Sequence, residues 1–412
     1  MDKAKPYQIS KRLVYEAYKQ VKANKGAEGV DHQSIWDFEQ DLKGNLYKLW
    51  NRMSSGSYFP PPVLGVAIPK ANGKQRLLGI PTVSDRIAQT VVKMVMEPLV
   101  EPYFHEDSYG YRPNKSALDA VGVARKRCWR YDWVIDLDIK AFFDNLDHDL
   151  IMKAVRKHVK INWALLYIER WLKAPMQHTD GSLVERDVGT PQGGVISPLL
   201  ANLFMHYAFD KWMRRNHASM PFERFADDAV VHCRSEKQAD FIKDKIGQRL
   251  SQCGLELHPE KTRIVYCQDD DRRMEYPITR FDFLGYTFRK RSSRTKWNRL
   301  FVSFTPAVSD KAKKAIRQTI RRWRIHLWSS ASLVSIASEI NPVVRGWISY
   351  YGKYCRSELR SALQQIDYYL IRWAKTKYKR LRGRQVQAAR VIKLVGLKNP
   401  MLFAHWNAGF AR

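Results

Sequence analysis

The chain has 412 residues, with 71 Lys+Arg against 41 Asp+Glu for a formal charge of +30, and is 45% hydrophobic and 12% aromatic. That apolar content builds large cores and excludes a disordered polycation, and the length suits two or three packing units. There is no apolar run of the ~18 residues needed to span a bilayer and no secretory leader pattern, so the sequence predicts a soluble cytoplasmic protein (nucleoid-associated if bacterial) with no membrane partner. The five cysteines, at 128, 233, 253, 267 and 355, never form a Cys-x-x-Cys pair, which argues for reduced thiols rather than a disulfide framework or zinc module.

Residues 9–50 read as helical, with a loop Lys25-Gly26-Ala27-Glu28-Gly29-Val30-Asp31 inside them. Pro60, Pro61 and Pro62 push their predecessors to extended geometry, so residues 57–62 are non-helical. Residues 63–69 and 76–80 read as two strands joined by the turn Ala71-Asn72-Gly73, and 85–100 as a helix. Residues 133–139 alternate as a strand, with Val134, Asp136 and Asp138 on one face. A helix begins near Asp147. Ser197 and Pro198 read as N-cap and first helical residue before Leu199, Leu200, Leu203, Phe204 and Tyr207 at helical spacing. Two short strands flank Ala226-Asp227-Asp228, and a further strand lies near 281–288. Beyond Ser309 the pattern is basic helix, with a loop at Asn341-Pro342 and a break at Arg382-Gly383-Arg384. The class is α+β, then nearly all α.

Charge is unevenly distributed. From Gly285 onward there are 28 Lys+Arg against 4 Asp+Glu, a net of +24, together with six of the 13 tryptophans; the first 284 residues carry only +6. Such a segment suits a polyanion, with phosphates supplying affinity, against the plainer reading of solvated helix faces. Trp323, Trp328, Trp347 and Trp373 individually read as helix-packing residues rather than base platforms.

The acidic residues point to chemistry. Asp227 and Asp228 lie between Glu223-Arg224 and the apolar run Ala229-Val230-Val231, in a semi-buried hairpin where adjacent ionised carboxylates need a compensating cation. Asp138, at the end of another apolar strand, supplies a third oxygen donor. Such a set suits octahedral Mg²⁺, and two ions ~4 Å apart serve phosphoryl chemistry. The rival reading is an Asp-Asp turn, as Asp269-Asp270-Asp271 is read to be in a solvated loop. Lys70, Lys74 and Arg76 flank a Gly-containing hairpin that can hang cations over a triphosphate, or whose cations merely keep exposed edges from aggregating. In Thr190-Pro191-Gln192-Gly193-Gly194 the glycines permit close approach to a base pair and Gln192 can donate and accept. A loop capping the next helix explains that segment equally well.

Asp136-Leu137-Asp138-Ile139-Lys140-Ala141-Phe142-Phe143-Asp144 resembles the first catalytic motif of reverse transcriptases, and Phe225-Ala226-Asp227-Asp228 the second. With residues 69–81, Tyr109-Gly110-Tyr111-Arg112-Pro113, residues 189–198, Leu257-His258-Pro259-Glu260-Lys261-Thr262 and residues 281–286, their order is similar to that of the group II intron-encoded reverse transcriptase/maturase family. The resemblance implies a right-hand polymerase, with fingers and an antiparallel palm sheet over residues 1–290, followed by an α-helical thumb/maturase region over 291–412. It implies RNA-directed DNA polymerase activity with two Mg²⁺ ions (Mn²⁺ able to substitute). Asp138, Asp227, Asp228 and the Ile139 carbonyl are the implied ligands; Asp136 is a supporting residue. Lys74, Arg76, Phe143 as steric gate against a 2′-hydroxyl, and Gln192 are implied for the nucleotide. Arg321, Arg322, Arg324, Lys353, Lys375, Lys377, Lys379 and Arg380 are expected to grip RNA.

The implied partners are group II intron RNA, an RNA template with a DNA primer, deoxynucleoside triphosphates and target DNA. They imply splicing assistance and intron mobility by target-primed reverse transcription. Without a paired-cysteine His-Asn-His segment, the resemblance is to the endonuclease-less type. Phe225 stands where the family more often has Tyr. Rival readings are a splicing-only RNA-binding cofactor, a domesticated reverse transcriptase in phage defence or spacer acquisition, and an RNA-dependent RNA polymerase.

Overall fold

A computed structural model describes residues 6–69, 75–294 and 297–410. The chain forms two compact units, each assembled from three segments. The first comprises Met1–Ser116, Leu137–Val231 and Lys237–Thr262; the second, Ala117–Asp136, His232–Glu236 and Arg263–Arg412.

The first unit is built around the helix Val83–Val100, which packs against the helices Lys11–Asn24, Leu42–Ser55, Asn162–Lys173 and Ser197–Met205. Thr82 caps it through its side chain, and Val83, Ile87, Val91, Val92 and Met96 bury an apolar stripe. The same helix also buries Asp85, Arg86, Gln89 and Thr90, an unusual polar load that has to be hydrogen-bonded. Beside it lies a four-stranded sheet in the order Gln75–Ile80, Val63–Pro69, Met176–Gln177, Leu183–Val184. Its first pair is antiparallel, with Leu64 opposite Ile80 and Pro69 opposite Gln75. The expected turn at 71–73 lies outside the described residues.

The second unit holds the helix Ala117–Cys128, the antiparallel pair Trp133–Leu137 and Arg263–Tyr266, and a three-stranded antiparallel sheet with Tyr286–Arg294 at its centre. Helices Asp310–Arg322, Leu333–Tyr351, Arg360–Lys377 and Gln385–Lys398 follow. Their shared core includes Ile316, Ile320, Ile340, Leu363, Ile366, Leu370 and Trp373, each worth about 1.5–3 kcal/mol when fully buried. Trp373 donates to the Trp328 carbonyl, and Trp323 stacks on Trp347 at 5.5 Å, so these rings serve packing. All five cysteines are free thiols. Among the described residues no helix is long and apolar enough to cross a membrane.

Four local expectations need correction. The strand expected over 133–139 ends at Leu137, because the Asp138 carbonyl turns to accept from His258 N and Ile139 bridges to Leu257. Ser197 is the first helical residue and not the cap; its hydroxyl accepts from Thr190 Oγ1. The strand near 281–288 is a hairpin of Arg280–Phe283 and Tyr286–Arg294. Leu284 (φ +50°) and Gly285 (φ +79°) both adopt the left-handed geometry a two-residue turn demands. Pro342 lies inside the helix Leu333–Tyr351 rather than in a loop. Burial of Ile336, Ala337, Ile340 and Val344 carries that helix through the lost amide donor.

Candidate active site

Strands Phe222–Phe225 and Asp228–Cys233 pair so that Phe225 faces Asp228, which leaves Ala226 and Asp227 as a two-residue loop. Tight hairpins require positive φ, and Ala226 sits at φ +59°. For an alanine this conformation costs roughly 1–2 kcal/mol, so surrounding contacts must impose it.

Those contacts come from Arg224, which is fully buried. Its Nε and Nη2 grip the two oxygens of Asp210, each at 2.7 Å. Nη2 also donates to Ser108 Oγ at 2.8 Å, and Nη1 donates to Asn202 Oδ1 at 3.1 Å and to the Ala226 carbonyl at 2.9 Å. Along the main chain, Arg224 N donates to the Asp107 carbonyl and Tyr109 N to the Arg224 carbonyl, laying residues 107–109 beside the hairpin. Asn202 Nδ2 donates to the Gly110 carbonyl, and a Cβ on Gly110 would stand 2.5 Å from Ala226 N. Only glycine fits there. Thus the Tyr109-Gly110-Tyr111 block braces the acidic turn. The sequence reading assigned no role to Arg224, Asp210, Asn202 or Ser108; the available signal was a cation in the short strand Phe222–Phe225 that leads into the acidic turn.

Asp227 is half-buried and Asp228 exposed. Burial pushes the Asp227 carboxyl above its ordinary value, a backbone hydrogen bond opposes this, and the Asp138 carboxylate raises it further; Arg76 and Arg224 pull it down. Asp138 and Asp227 therefore share one electrostatic environment, with Arg76 in reach. The Tyr111 phenol is raised by its own burial and then by Asp227. Lys261 Nζ lies 3.2 Å from both oxygens of Asp138, so a side chain supplies the cation this carboxylate calls for. By contrast, the Asp269 loop is not simply solvated: half-buried Asp269 pairs with Arg272, and Asp270 accepts from Val302 N.

The donors fit a hard cation: three carboxylates and no soft ligand. They do not form a ready-made cage. Among the described residues, no three His, Cys, Asp or Glu side chains gather as a metal site. Mg²⁺ commonly takes one or two carboxylates and fills its remaining positions with water and substrate phosphates, so an open set is chemically sufficient.

Of the expected nucleotide residues, Lys74 lies outside the described residues. Arg76 is exposed on Gln75–Ile80, opposite Ile68. Phe142 and Phe143 begin a short 3₁₀ turn, with Phe142 buried and Phe143 half-buried. Thr190 N donates to the Phe143 carbonyl, and Gln192 Nε2 to Asp144 Oδ1 at 3.3 Å, which brings the 190–194 loop against the Phe143 turn. On its other side Gly79 N donates to the Gln192 carbonyl, and Gly193 (φ +129°) passes so close that a Cβ would lie 2.5 Å from the Gly79 carbonyl oxygen. The loop is held from beneath by Gln89, whose Oε1 accepts from Val195 N at 2.7 Å and Ile196 N at 3.2 Å. Gln89 Nε2 in turn donates to buried Asp85, which also accepts from Tyr58 and Trp171. Neither Asp85 nor Gln89 was foreseen.

In the second unit Arg321, Arg322, Arg324, Lys353, Lys379 and Arg380 are exposed. Lys375 is half-buried and donates to Gln385 Oε1; Lys377 donates to the Ser330 and Ala331 carbonyls and lies over the Trp373 ring. Lys377 thus has a structural task.

Comparison with known proteins fits this picture. Residues 68–288, more than half of the chain, match the family described as reverse transcriptase (RNA-dependent DNA polymerase), and the chain belongs to that family. Residues 313–391 match the group II intron, maturase-specific domain, so within the family this is the kind that joins a polymerase to a maturase domain. Protein YkfC of Escherichia coli K12 is 32% identical over 353 residues, covering 76% of this chain and 89% of that protein. The group II intron-encoded protein LtrA of Lactococcus lactis is 29% identical over 267 residues, 63% of this chain but only 43% of LtrA. Among solved structures, telomerase from Candida albicans with a TWJ fragment of telomeric RNA aligns over 92% of this chain and 68% of that one, with TM-score 0.46 and 12% identity.

Proposed function

We propose that the chain extends a DNA primer on an RNA template and binds its parent group II intron RNA, assisting splicing and supporting mobility by target-primed reverse transcription. Residues 1–290 carry the polymerase and 291–412 the basic thumb/maturase region. The polymerase reading is carried by one observation: a strained acidic turn, braced by a fully buried guanidinium, holds Asp227 within electrostatic reach of Asp138.

Asp138 and Asp227, with Asp228 beside them, would hold divalent magnesium. When bound, such ions polarise the attacking hydroxyl and neutralise the leaving pyrophosphate. The chain's own residues orient the substrates. Arg76 faces the triphosphate; Phe143 packs under the sugar and excludes a 2′-hydroxyl; Gln192 sits against the nascent pair on its anchored loop. Phosphoryl transfer needs positioning and charge compensation more than covalent chemistry, which suits this inventory. The exposed cations Arg321, Arg322, Arg324, Lys353, Lys379 and Arg380 contact RNA phosphates, and the protein works in the cytoplasm.

The test is primer extension on an RNA template with deoxynucleotides, comparing the protein with Asp227→Ala. Extension lost in the variant supports the reading. Intron splicing assisted equally by both proteins, without extension by either, would leave only the splicing cofactor.

A further inference from the structure

Arg224 does more than fill a buried strand position. Its guanidinium makes five hydrogen bonds to four residues, and only one of them, to the Ala226 carbonyl, reaches the acidic turn itself. A lysine could keep the charge pair with Asp210 but has no planar fork with which to hold Asp210, Ser108, Asn202 and Ala226 together. The far end of this brace is Asp210, the last residue of a π-helical turn His206–Asp210, a rare geometry that often marks functional positions. That turn shifts the helix register just where a carboxylate must meet the guanidinium. Ala226, immediately before Asp227, is meanwhile held in left-handed backbone by the same brace.

We propose that Arg224, gripped by Asp210, is a positioning residue for nucleotide addition: it fixes the Ala226 peptide so that the Asp227 carboxylate is presented to metal. The proposal rests on the reading of Asp227 as a metal ligand and adds to it the device that aims that ligand. Arg224 touches neither substrate nor metal; it acts through one carbonyl.

The experiment uses the full chain with four variants: Arg224→Lys, the apolar exchange Arg224→Met with Asp210→Met, Arg224→Lys with Ala226→Gly, and Asp227→Ala. Circular dichroism and thermal melting report folding, primer extension gives kcat and the KM for deoxynucleotide, and electron paramagnetic resonance reports Mn²⁺ binding without substrate. Arg224→Lys should fold, lose at least tenfold in kcat with KM changed less than threefold, and bind Mn²⁺ several-fold more weakly. The double Met variant should fold and show the same kinetic defect. Glycine at 226 adopts positive φ freely, so adding it to Arg224→Lys should recover part of kcat, which a purely structural role does not predict. Wild-type kcat in either folded Arg224 variant overturns the proposal, as does an Arg224→Lys protein that cannot fold. If Asp227→Ala keeps full extension, the metal-ligand reading itself fails, and the two failures are thereby distinguished.

Discussion

Replacing Gln89 by Met tests how the 190–196 loop is held. Methionine nearly matches the volume of glutamine, so no cavity opens, and the change removes three hydrogen bonds: Gln89 to Asp85 at 2.9 Å, and the acceptor for Val195 N and Ile196 N at 2.7 and 3.2 Å. Val195 is half-buried and can recruit water, whereas Ile196 is buried and its amide is stranded. A buried donor left unsatisfied costs about 1–3 kcal/mol, and each of the two other lost bonds about 0.5–1.5 kcal/mol, giving a total of roughly 2–6 kcal/mol. The loop that loosens carries Gln192, so the KM for deoxynucleotide should rise several-fold while kcat falls less. Urea unfolding supplies the stability change and steady-state extension the kinetic one. A loss below about 0.5 kcal/mol with unchanged KM would refute the reasoning that this glutamine anchors the nucleotide loop.

Other outcomes follow from the same geometry. Phe143→Val should erode discrimination against ribonucleotides at least tenfold, read as the ratio of kcat/KM for the two sugars; an unchanged ratio removes the ring from beneath the sugar. Burial holds the His206 imidazole down at about 4, below its ordinary 6.5, so the unfolded chain takes up its proton first. Stability from this group is therefore full above pH 6.5 and lost as pH falls toward 4, by up to about 3 kcal/mol. His206→Leu should flatten that slope in urea melts, and parallel wild-type and variant slopes would contradict it. Lys261→Met should barely change the melting temperature, because the Lys261–Asp138 pair is partly exposed and worth at most ~1 kcal/mol. It should instead tighten Mn²⁺ binding several-fold by freeing Asp138, and weaker binding would show that Lys261 orients the carboxylate rather than competing for it.

What could be read in advance was local. Two runs around a turn marked residues 63–69 as a strand, three prolines broke the helix before it, and the short strands flanking Asp227-Asp228 placed that pair on a hairpin. What escaped was set by partners distant in sequence. Asp210 and Arg224 meet through a π-helical register shift that periodicity cannot register. Asp85 and Gln89 lie in a helix whose apolar stripe dominates its pattern, yet their partners come from residues 58, 171, 195 and 196. Pro342 misled because tertiary burial outweighs a local breaker. Leu284-Gly285 misled because leucine rarely signals a positive-φ turn. The strand read as reaching Ile139 stops at Leu137, one residue before Asp138, where the chain turns to bond His258.

The most direct measurement is the anomalous signal of Mn²⁺ in crystals of the protein with an RNA template, a DNA primer and a non-hydrolysable deoxynucleotide. The account predicts an ion bound jointly by the Asp138 and Asp227 carboxylates and by phosphate oxygens of the nucleotide. Manganese bound elsewhere, with Asp138 still paired to Lys261 and the nucleotide in place, would contradict it.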